Sequence, residues 1–322
     1  MMAVLWSVLV AGALLATVVT AMSGMIWLER RTLAVWQDRK GPNRVGPFGM
    51  GVVVADTIKI MLKEDWVPPF ADKAVFILAP AMIMVIGILS FAVIPLAPDV
   101  SVTPLHVGLL FFLGMSSLNA YTVILAGWSS NNKYSLIGSL RAAGQVMSYE
   151  VFMGLALMGV VVMAGSFDLH DIVAAQGKVW NIVPQFLGFI LFFIAAIAET
   201  HRAPFDLPEA ESEIVAGFHS EYSGIKFGMF FLGEYIGVVL MSTMMATLYA
   251  GGWNGPFMPG PWWLALKTFG FVFLFILARA ALPRPRQDQV LSYGWKVLFP
   301  LALLNLLGTA AVVIATQSEG SP

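Results

Sequence analysis

The chain has 322 residues, of which 58% are hydrophobic and 11% are charged, whereas soluble domains contain about 45–50% apolar and about 25% charged residues. This composition excludes a soluble globular protein and a disordered one, and the formal net charge of -1 excludes a nucleic-acid-binding protein. The chain contains no cysteine, so it can hold no disulfide, thiolate zinc site or iron–sulfur cluster, and any electron transfer requires a partner.

Eight apolar runs between charged or Pro/Gly-rich segments are candidates to cross a membrane. A hydrocarbon core about 30 Å thick requires about 20 apolar residues per helix. The predicted spans cover 3–28, 74–97, 106–127, 141–164, 184–200, 226–250, 262–281 and 296–316. The first run lacks the basic start of a secretory signal and is too long for one, so we expect it to be retained. The pattern predicts an all-α integral membrane protein with eight transmembrane helices in a single membrane domain, 1–322.

Basic residues alternate between the connecting segments. Of the 18 Lys and Arg residues, 16 follow the first, third, fifth and seventh spans, and only Lys178 and Lys267 lie on the other side. Because short cytoplasmic loops carry the Lys/Arg excess, the basic set is predicted to face the cytoplasm. Both termini are then predicted to be periplasmic.

A short amphipathic helix is predicted after the first span, over residues 50–63. Asp56, Lys59 and Lys63 fall on one stripe at i, i+3 and i+7, and apolar residues fill the rest. The pattern is typical of a helix that lies in the membrane interface. Its charges are either solvated or line a cavity, and the pattern leaves both possibilities open.

The segment 198–224 is rich in carboxylates and is predicted to lie on the cytoplasmic side. Its acidic residues are Glu199, Asp206, Glu209, Glu211, Glu213 and Glu221. Such a run is usually a solvated acidic loop. The prolines and large apolar residues between the acids favour a packed acidic funnel instead.

Two more carboxylates fall inside predicted spans. Glu150 and Glu234 lie about 12–14 Å from the cytoplasmic ends of the fourth and sixth spans at about 1.5 Å per residue. An acid at mid-bilayer costs on the order of 3 kcal/mol and usually faces the bundle interior, where it marks a proton or ion path. The alternative is a structural acid that is hydrogen-bonded or ion-paired. We predict a proton path from the acidic segment through Glu199 to Glu150 and Glu234.

Five stretches resemble one known family. They are LERRTLAVWQDRKGPNRVGPFG at 28–49, ADTIKIMLKEDWVP at 55–68, AGWSSNNKYSLIGSLRAAGQVMSYEV at 126–151, AETHRAPFDLPEAESEIVAGFHSEYSG at 198–224 and LPRPRQDQVLSYGWKVLFPL at 282–301. They closely resemble the family formed by the H subunits of bacterial respiratory complex I, a proton-translocating NADH-quinone oxidoreductase, and by their mitochondrial counterpart, NADH dehydrogenase subunit 1. The resemblance implies a protein of the bacterial inner (plasma) membrane at the joint between the redox arm and the membrane arm.

The resemblance also implies site residues, position by position. The quinone channel is expected at Arg30, Arg39, Lys40, Asp56, Lys59, Arg202, Asp206, Arg279, Arg284 and Arg286. The proton path is expected at Glu150, Glu199, Glu209, Glu211, Glu213, Glu221 and Glu234. The sequence departs from the family's common residues at Arg31, Val52 and Gln287, which affects details of the channel surface.

The resemblance further implies cofactors and partners. Quinone, with ubiquinone as the expected form, would be the substrate, and NADH, FMN and iron–sulfur clusters would belong to partner subunits. Partners would be redox-arm subunits, small and antiporter-like membrane subunits, and lipid. We expect neither a metal nor a catalytic group in this chain. Two other functions are considered: an independent cation or proton antiporter, which interrupted helices and buried acids also fit, and a membrane anchor of a related hydrogenase complex.

Overall fold

The computed structural model describes residues 2–98, 100–209 and 211–319, and the side chains of 9–98, 100–209 and 213–316. Its α-helices are α1 (Met2–Trp36), α2 (Gly51–Leu62), α3 (Lys73–Ser90), α4 (Gly108–Ser129), α5 (Lys133–Ala164), α6 (Leu169–Ala175), α7 (Phe186–Glu199), α8 (Glu211–Ile214), α9 (Gly224–Tyr249), α10 (Pro261–Ala281), α11 (Gln287–Tyr293) and α12 (Phe299–Glu319). A π-helical turn, Gly294–Leu298, joins α11 to α12. The predicted all-α class is confirmed.

Seven helical segments are long and apolar enough to cross a membrane. They are Leu9–Trp36, Lys73–Val93, Gly108–Ser129, Lys133–Ala164, Gly224–Tyr249, Pro261–Ala281 and Gln287–Thr316. The predicted fifth span corresponds to α7, which has 14 residues and is therefore about 21 Å long. A helix of this length is too short to cross a core about 30 Å thick by itself, so helix length supports seven spans where the sequence predicted eight.

Two long helices, α5 and α9, organise the packing. Helix α5 packs against α4, α7 and α12, while α9 packs against α1, α3, α7 and α10. Helix α7 therefore lies between the two. Helix α9 is the most buried of the seven candidate spans, and Met244, Met245 and Tyr249 on it are fully buried.

The charged connecting segments meet at one end of the bundle, called here the basic end. Lys226 pairs with Asp65 at 2.7 Å, and Arg141 pairs with Glu213 at 2.6 Å. The Asp72 amide donates to the Ser129 carbonyl at 3.0 Å. These contacts join segments that are far apart in sequence, in agreement with the alternation of basic charge.

The opposite end is held by buried amide side chains. Gln176 donates to the Thr247 carbonyl at 2.9 Å, and Asn181 donates to the Leu248 carbonyl at 2.9 Å. The Lys267 ammonium donates to the carbonyls of Ala250 and Gly252 at 2.5 and 3.0 Å. These bonds satisfy backbone groups at the end of α9, where irregular backbone would otherwise be costly in an apolar setting.

Helix α5 begins eight residues before its predicted start. Asn132 caps the helix, because its side chain accepts a hydrogen bond from the Tyr134 amide at 2.9 Å. The added turns pack against the 217–219 segment, where Gly138 lies against Gly217. One face of the added turns, at Ser135, Gly138 and Ser139, is therefore buried by protein contacts, while Leu136 and Leu140 stay exposed. The search for apolar runs could not detect this packing.

Candidate functional site

Helix α1 carries a buried acid into the bundle. Val18, Met22, Met25 and Glu29 lie three or four residues apart, and each is 4 or 5% exposed, so Glu29 continues the buried stripe of α1. The Arg202 Nη1 lies 3.4 Å from both Glu29 carboxylate oxygens. Arg279 of α10 also forms an ion pair with Glu29.

Arg202 is the buried cation at the centre of the site. Its Nε lies 3.9 Å from a Glu234 oxygen, and its guanidinium carbon lies 4.0 Å from the centroid of the Tyr235 ring. Burial lowers the pKa of Arg202, but Glu29, Glu234 and Tyr235 raise it by more. Arg202 is therefore a permanent charge that holds α1 and α9 together.

The acidic loop, residues 200–216, is packed rather than solvated. Leu207 and Ile214 are buried, and Gln145 of α5 donates to the Phe205 carbonyl at 2.9 Å. Asp206 pairs with Arg284 at 3.0 Å. Burial raises the pKa of Asp206, and Arg284 opposes this effect only in part.

Glu209 of this loop forms a hydrogen-bonded acid pair with Glu234 of α9. Burial raises the pKa of Glu209, but hydrogen bonds with Glu234 and His219 and the charge of His219 lower it to about 2. A hydrogen bond between two carboxyl groups requires a shared proton, so the pair carries one negative charge. Such a pair holds a proton between two carboxyl groups at the edge of the membrane domain.

A cavity of about 350 Å³, the main cavity, lies over this cluster. It is lined by Glu29, Arg30, Leu33, Arg39, His201, Arg202, Ala203, Asp206, Glu209, His219, Phe227, Phe230, Phe231, Glu234, Tyr235 and Arg279. The wall thus combines charged groups with aromatic rings. Its volume lies within the range of about 300–1,000 Å³ that small-molecule sites have, and its wall is more highly charged than the mostly apolar walls of such sites.

A second cavity of about 40 Å³, the small cavity, lies deeper among α3, α4, α7 and α9. Its polar lining includes Ser116, Glu199, His201 and Glu234. It is large enough for a water molecule, which needs about 10–15 Å³ by this measure. Glu234 and His201 line both cavities.

Two carboxyl groups continue from the small cavity toward α5. Ser116 donates to Glu199 at 2.8 Å, and the next residue of α4, Ser117, donates to Glu150 at 3.1 Å. Glu199 and Glu150 also interact electrostatically. The predicted acids Glu150, Glu199, Glu209 and Glu234 thus form one row, which we call the carboxyl row.

Their positions along the helices differ. Counted from the observed helix starts at Lys133 and Gly224, Glu150 lies 17 residues and Glu234 lies 10 residues into its helix, or about 26 and 15 Å. The difference arises because α5 begins before the predicted span, and the match in depth within the membrane stays a prediction. The two acids are brought together by the packing of α7 between α5 and α9.

Two other predicted path residues, Glu213 and Glu221, line neither cavity. Glu213 pairs with Arg141 and is half-exposed. Glu221 accepts from Asn132 at 2.6 Å and so supports the cap of α5. The side chain of Glu211 lies outside the described residues. Their assignment to the proton path stays a prediction.

The predicted channel residues divide between the main cavity and the surface. Arg30, Arg39, Arg202, Asp206 and Arg279 line the cavity. Asp56 of α2 pairs with Arg30 at 2.8 Å and with Lys59 at 3.0 Å, so α2 supports the cavity wall. Burial raises the pKa of Asp56, but hydrogen bonds and charges of Lys59 and Arg30 lower it overall.

Five predicted channel residues do not line the main cavity. Asp56, Lys59 and Arg284 are joined to its lining by ion pairs, whereas Lys40 and Arg286 have no such link among the described residues. Lys40 is exposed beyond the end of α1. Arg286 pairs at 2.8 Å with Asp288, two residues along the chain, and both are exposed. Their place in a channel would depend on surfaces that this chain does not supply.

Sequence reasoning missed four groups of this site: Glu29, His201, His219 and Tyr235. Glu29 is one residue beyond the predicted end of the first span and four beyond Met25, so helical spacing could have identified it. No sequence pattern indicates that His201 is buried or that His219 lines the main cavity, because both depend on how the segment 198–224 folds. No spacing in the sequence indicates that Tyr235 lies on Arg202.

Comparison with known proteins agrees with the resemblance. A family model described as NADH dehydrogenase matches residues 9–310. The H subunit of the NADH-quinone oxidoreductase of Methylococcus capsulatus (strain Bath) is 60% identical over 304 residues, which cover 94% of this chain and 96% of the relative. The chain belongs to the NADH dehydrogenase family, together with that relative.

Proposed function

We propose that the chain is the H subunit of a proton-pumping NADH:quinone oxidoreductase, in whose membrane arm it forms the quinone channel and couples quinone reduction to proton translocation. The observation that carries the proposal is the carboxyl row, which extends from the main cavity past the small cavity to α5. The 60% identity to the H subunit of an NADH-quinone oxidoreductase supports it. That relative favours this function over an independent antiporter or a hydrogenase anchor.

The main cavity is the proposed position of the quinone head. Its aromatic rings, Phe227, Phe231 and Tyr235, suit a flat ring, and Arg30, Arg39 and Arg279 suit the oxygens as they gain negative charge. Its volume of about 350 Å³ suits a head group rather than the isoprene tail. The tail would extend toward lipid past the apolar face of α2, where Val54, Ile58 and Met61 are exposed.

Electrons must come from partner subunits, because this chain contains no cysteine for an iron–sulfur cluster. NADH, FMN and the clusters belong to those partners in this proposal. Quinone takes up two electrons and two protons to become quinol. The residues of this chain bind the head, supply or replace protons at its oxygens, and sense the change of charge.

The acidic loop transmits that change. Glu209 and Glu234 share one proton, so extra negative charge in the main cavity favours uptake of a second proton by the pair. The deeper carboxyls, Glu199 and Glu150, supply that proton. Because these acids lie close together, they cannot all be ionised at once, and their protonation is coupled.

The proposal includes the membrane arrangement. Helix α7, together with the 176–185 segment before it, is the proposed eighth crossing. Gln176 and Asn181 tie this segment to the end of α9, since they donate to the Thr247 and Leu248 carbonyls. The basic end faces the cytoplasm and both termini face the periplasm of a bacterial inner membrane. Helix α2 lies in the interface, and residues 1–322 form a single domain.

Glu150→Gln tests the coupling. Glutamine keeps a hydrogen bond with Ser117 but cannot carry a proton. We expect the complex to assemble and proton translocation to be lost. Proton translocation would be measured with a pH-sensitive dye in inside-out vesicles that are energised with NADH and have a verified content of assembled complex. Normal translocation by the variant would reject the proposed function.

A further inference from the structure

His201 lies two residues beyond the end of α7, and its ring is buried inside the protein. The residue is 4% exposed, and its φ of +51° is in the left-handed region, which non-glycine residues rarely adopt. The local backbone thus turns this side chain inward, and Nε2 has no hydrogen-bond partner among the described residues. A buried polar atom without a partner is costly, so a ligand on Nε2 would be stabilising.

The small cavity offers the place for that ligand. Glu199 Oε2 is a second buried atom without a partner in the described part of the chain, and Glu199 and His201 both line this cavity. Its volume of about 40 Å³ exceeds the roughly 10–15 Å³ that a water molecule needs. A water molecule there can donate to one group and accept from the other.

His201 also separates the two cavities. Only His201 and Glu234 line both of them among the described residues. Glu234 is already engaged with Glu209 and lies near Arg202. The open ring nitrogen of His201 is therefore the available route from the main cavity to Glu199.

We propose that the small cavity binds a water molecule between His201 and Glu199, and that His201 passes protons between the main cavity and the deeper carboxyls. This rests on the proposed function and adds to the carboxyl row a residue outside it. The imidazole takes up a proton at one nitrogen and releases one from the other, so no proton is consumed. The water molecule completes the connection to Glu199.

The charges around His201 control this transfer. His201 interacts electrostatically with Glu209 of the acidic loop. It lines the small cavity together with Glu199 of α7 and Glu234 of α9, and Arg202 is the next residue along the chain. Burial lowers the pKa of His201 to about 4, although the charge of Glu209 opposes the effect. The resting ring is therefore neutral, and it accepts a proton only while negative charge in the main cavity is increased.

The first test uses His201→Asn in the assembled complex, reconstituted in proteoliposomes. Asparagine can hydrogen-bond to the water molecule but cannot take up a proton. We expect normal electron transfer from NADH to an artificial acceptor and a fall in the rate of proton translocation on the order of a hundredfold. His106→Asn is the matched control, because His106 has a fully exposed side chain.

The pH profile distinguishes proton transfer from a structural role. If His201 carries protons, its protonation contributes to the pH dependence of the translocation rate in the wild type. This contribution should be absent from the pH profile of His201→Asn. An unchanged ratio of protons to electrons at an unchanged rate in His201→Asn would overturn the inference. If Glu150→Gln loses translocation in the same preparation while His201→Asn retains it, the proposed function stands and only the role of His201 fails.

The second test does not depend on a variant that assembles. A map of the intact complex at a resolution that shows water molecules should contain one within hydrogen-bond distance of both His201 Nε2 and a Glu199 oxygen. An empty cavity, or a direct bond between these side chains that excludes water, would overturn the inference.

Discussion

The guanidinium of Arg202 lies 4.0 Å from the centre of the Tyr235 ring. This contact joins the loop after α7 to helix α9 at the main cavity, and it uses a property that arginine has and lysine lacks. The planar guanidinium can stack on the ring while its edge binds two carboxylates, Glu29 and Glu234.

Arg202→Met should destabilise the protein by about 3–5 kcal/mol, because the buried Glu29 and Glu234 would lose their central cation. The amount of assembled complex, measured on native gels, should fall sharply. Arg202→Lys should restore part of the amount of complex, because the positive charge remains. The stacking on Tyr235 and the planar guanidinium that binds two carboxylates are lost. Arg286→Met, which removes an exposed cation, is the control. Equal amounts of complex in Arg202→Met and wild type would contradict this prediction.

Glu209→Gln and Glu213→Gln should differ, although both acids are in the same short segment. Glu209 shares a proton with Glu234, so its neutral substitute should reduce coupled translocation at least about tenfold. Glu213 forms a half-exposed pair with Arg141, and its loss should change stability by no more than about 1 kcal/mol. Vesicles energised with NADH measure proton translocation by the two variants, and thermal unfolding of the complex measures the change in stability. An equal loss of translocation in the two variants would contradict this prediction and support a place for Glu213 in the proton path.

Stability should fall as pH falls from about 6.5 toward 4, because His201 is held neutral in the folded protein. Its pKa is lowered to about 4, so the unfolded chain binds more protons in this range, and the contribution is complete only above the ordinary pKa of about 6.5. The contribution of His201 to the free energy of unfolding changes across this pH range by on the order of 3 kcal/mol. Melting temperatures of the purified complex at several pH values should depend less on pH in His201→Asn. Parallel curves for the variant and wild type would refute this.

Asp56→Asn should affect quinone binding more than proton coupling. Asp56 positions Arg30 at the wall of the main cavity through a 2.8 Å ion pair. Loss of the carboxylate releases this side chain, so we expect the KM for a short-chain quinone to rise severalfold while the ratio of protons to electrons is unchanged. Asp288→Asn, in an exposed pair with Arg286, is the matched control. A changed ratio with an unchanged KM would contradict the prediction.

Lys267→Met should destabilise the end of α9 by about 1–3 kcal/mol, because carbonyls at Ala250 and Gly252 would lose their donor. The destabilised end of α9 lies on the opposite side of the bundle from the main cavity. Thermal unfolding of the complex should occur earlier, while NADH-to-quinone turnover at room temperature should remain. Unchanged thermal unfolding would show that water or lipid head groups replace the ammonium there.

The sequence by itself determined the helical class, the alternation of basic segments, and the acids Glu150 and Glu234 as unusual features. Each follows from local properties: apolar length, the position of charges, and the cost of an acid in hydrocarbon. The short helix after the first span was also predictable, because Asp56, Lys59 and Lys63 recur at helical spacing. The observed α2, Gly51–Leu62, agrees with it.

Only the tertiary structure decided which groups meet. Glu29 binds Arg202, 173 residues away, and Arg279, 250 residues away, and no local pattern encodes such pairings. His201 lies in a connecting segment, yet it is buried because the acidic loop folds back against α5 and α9. The carboxyl row exists because α7 packs between those two helices, so its geometry depends on long-range packing rather than on the spacing of acids along the chain.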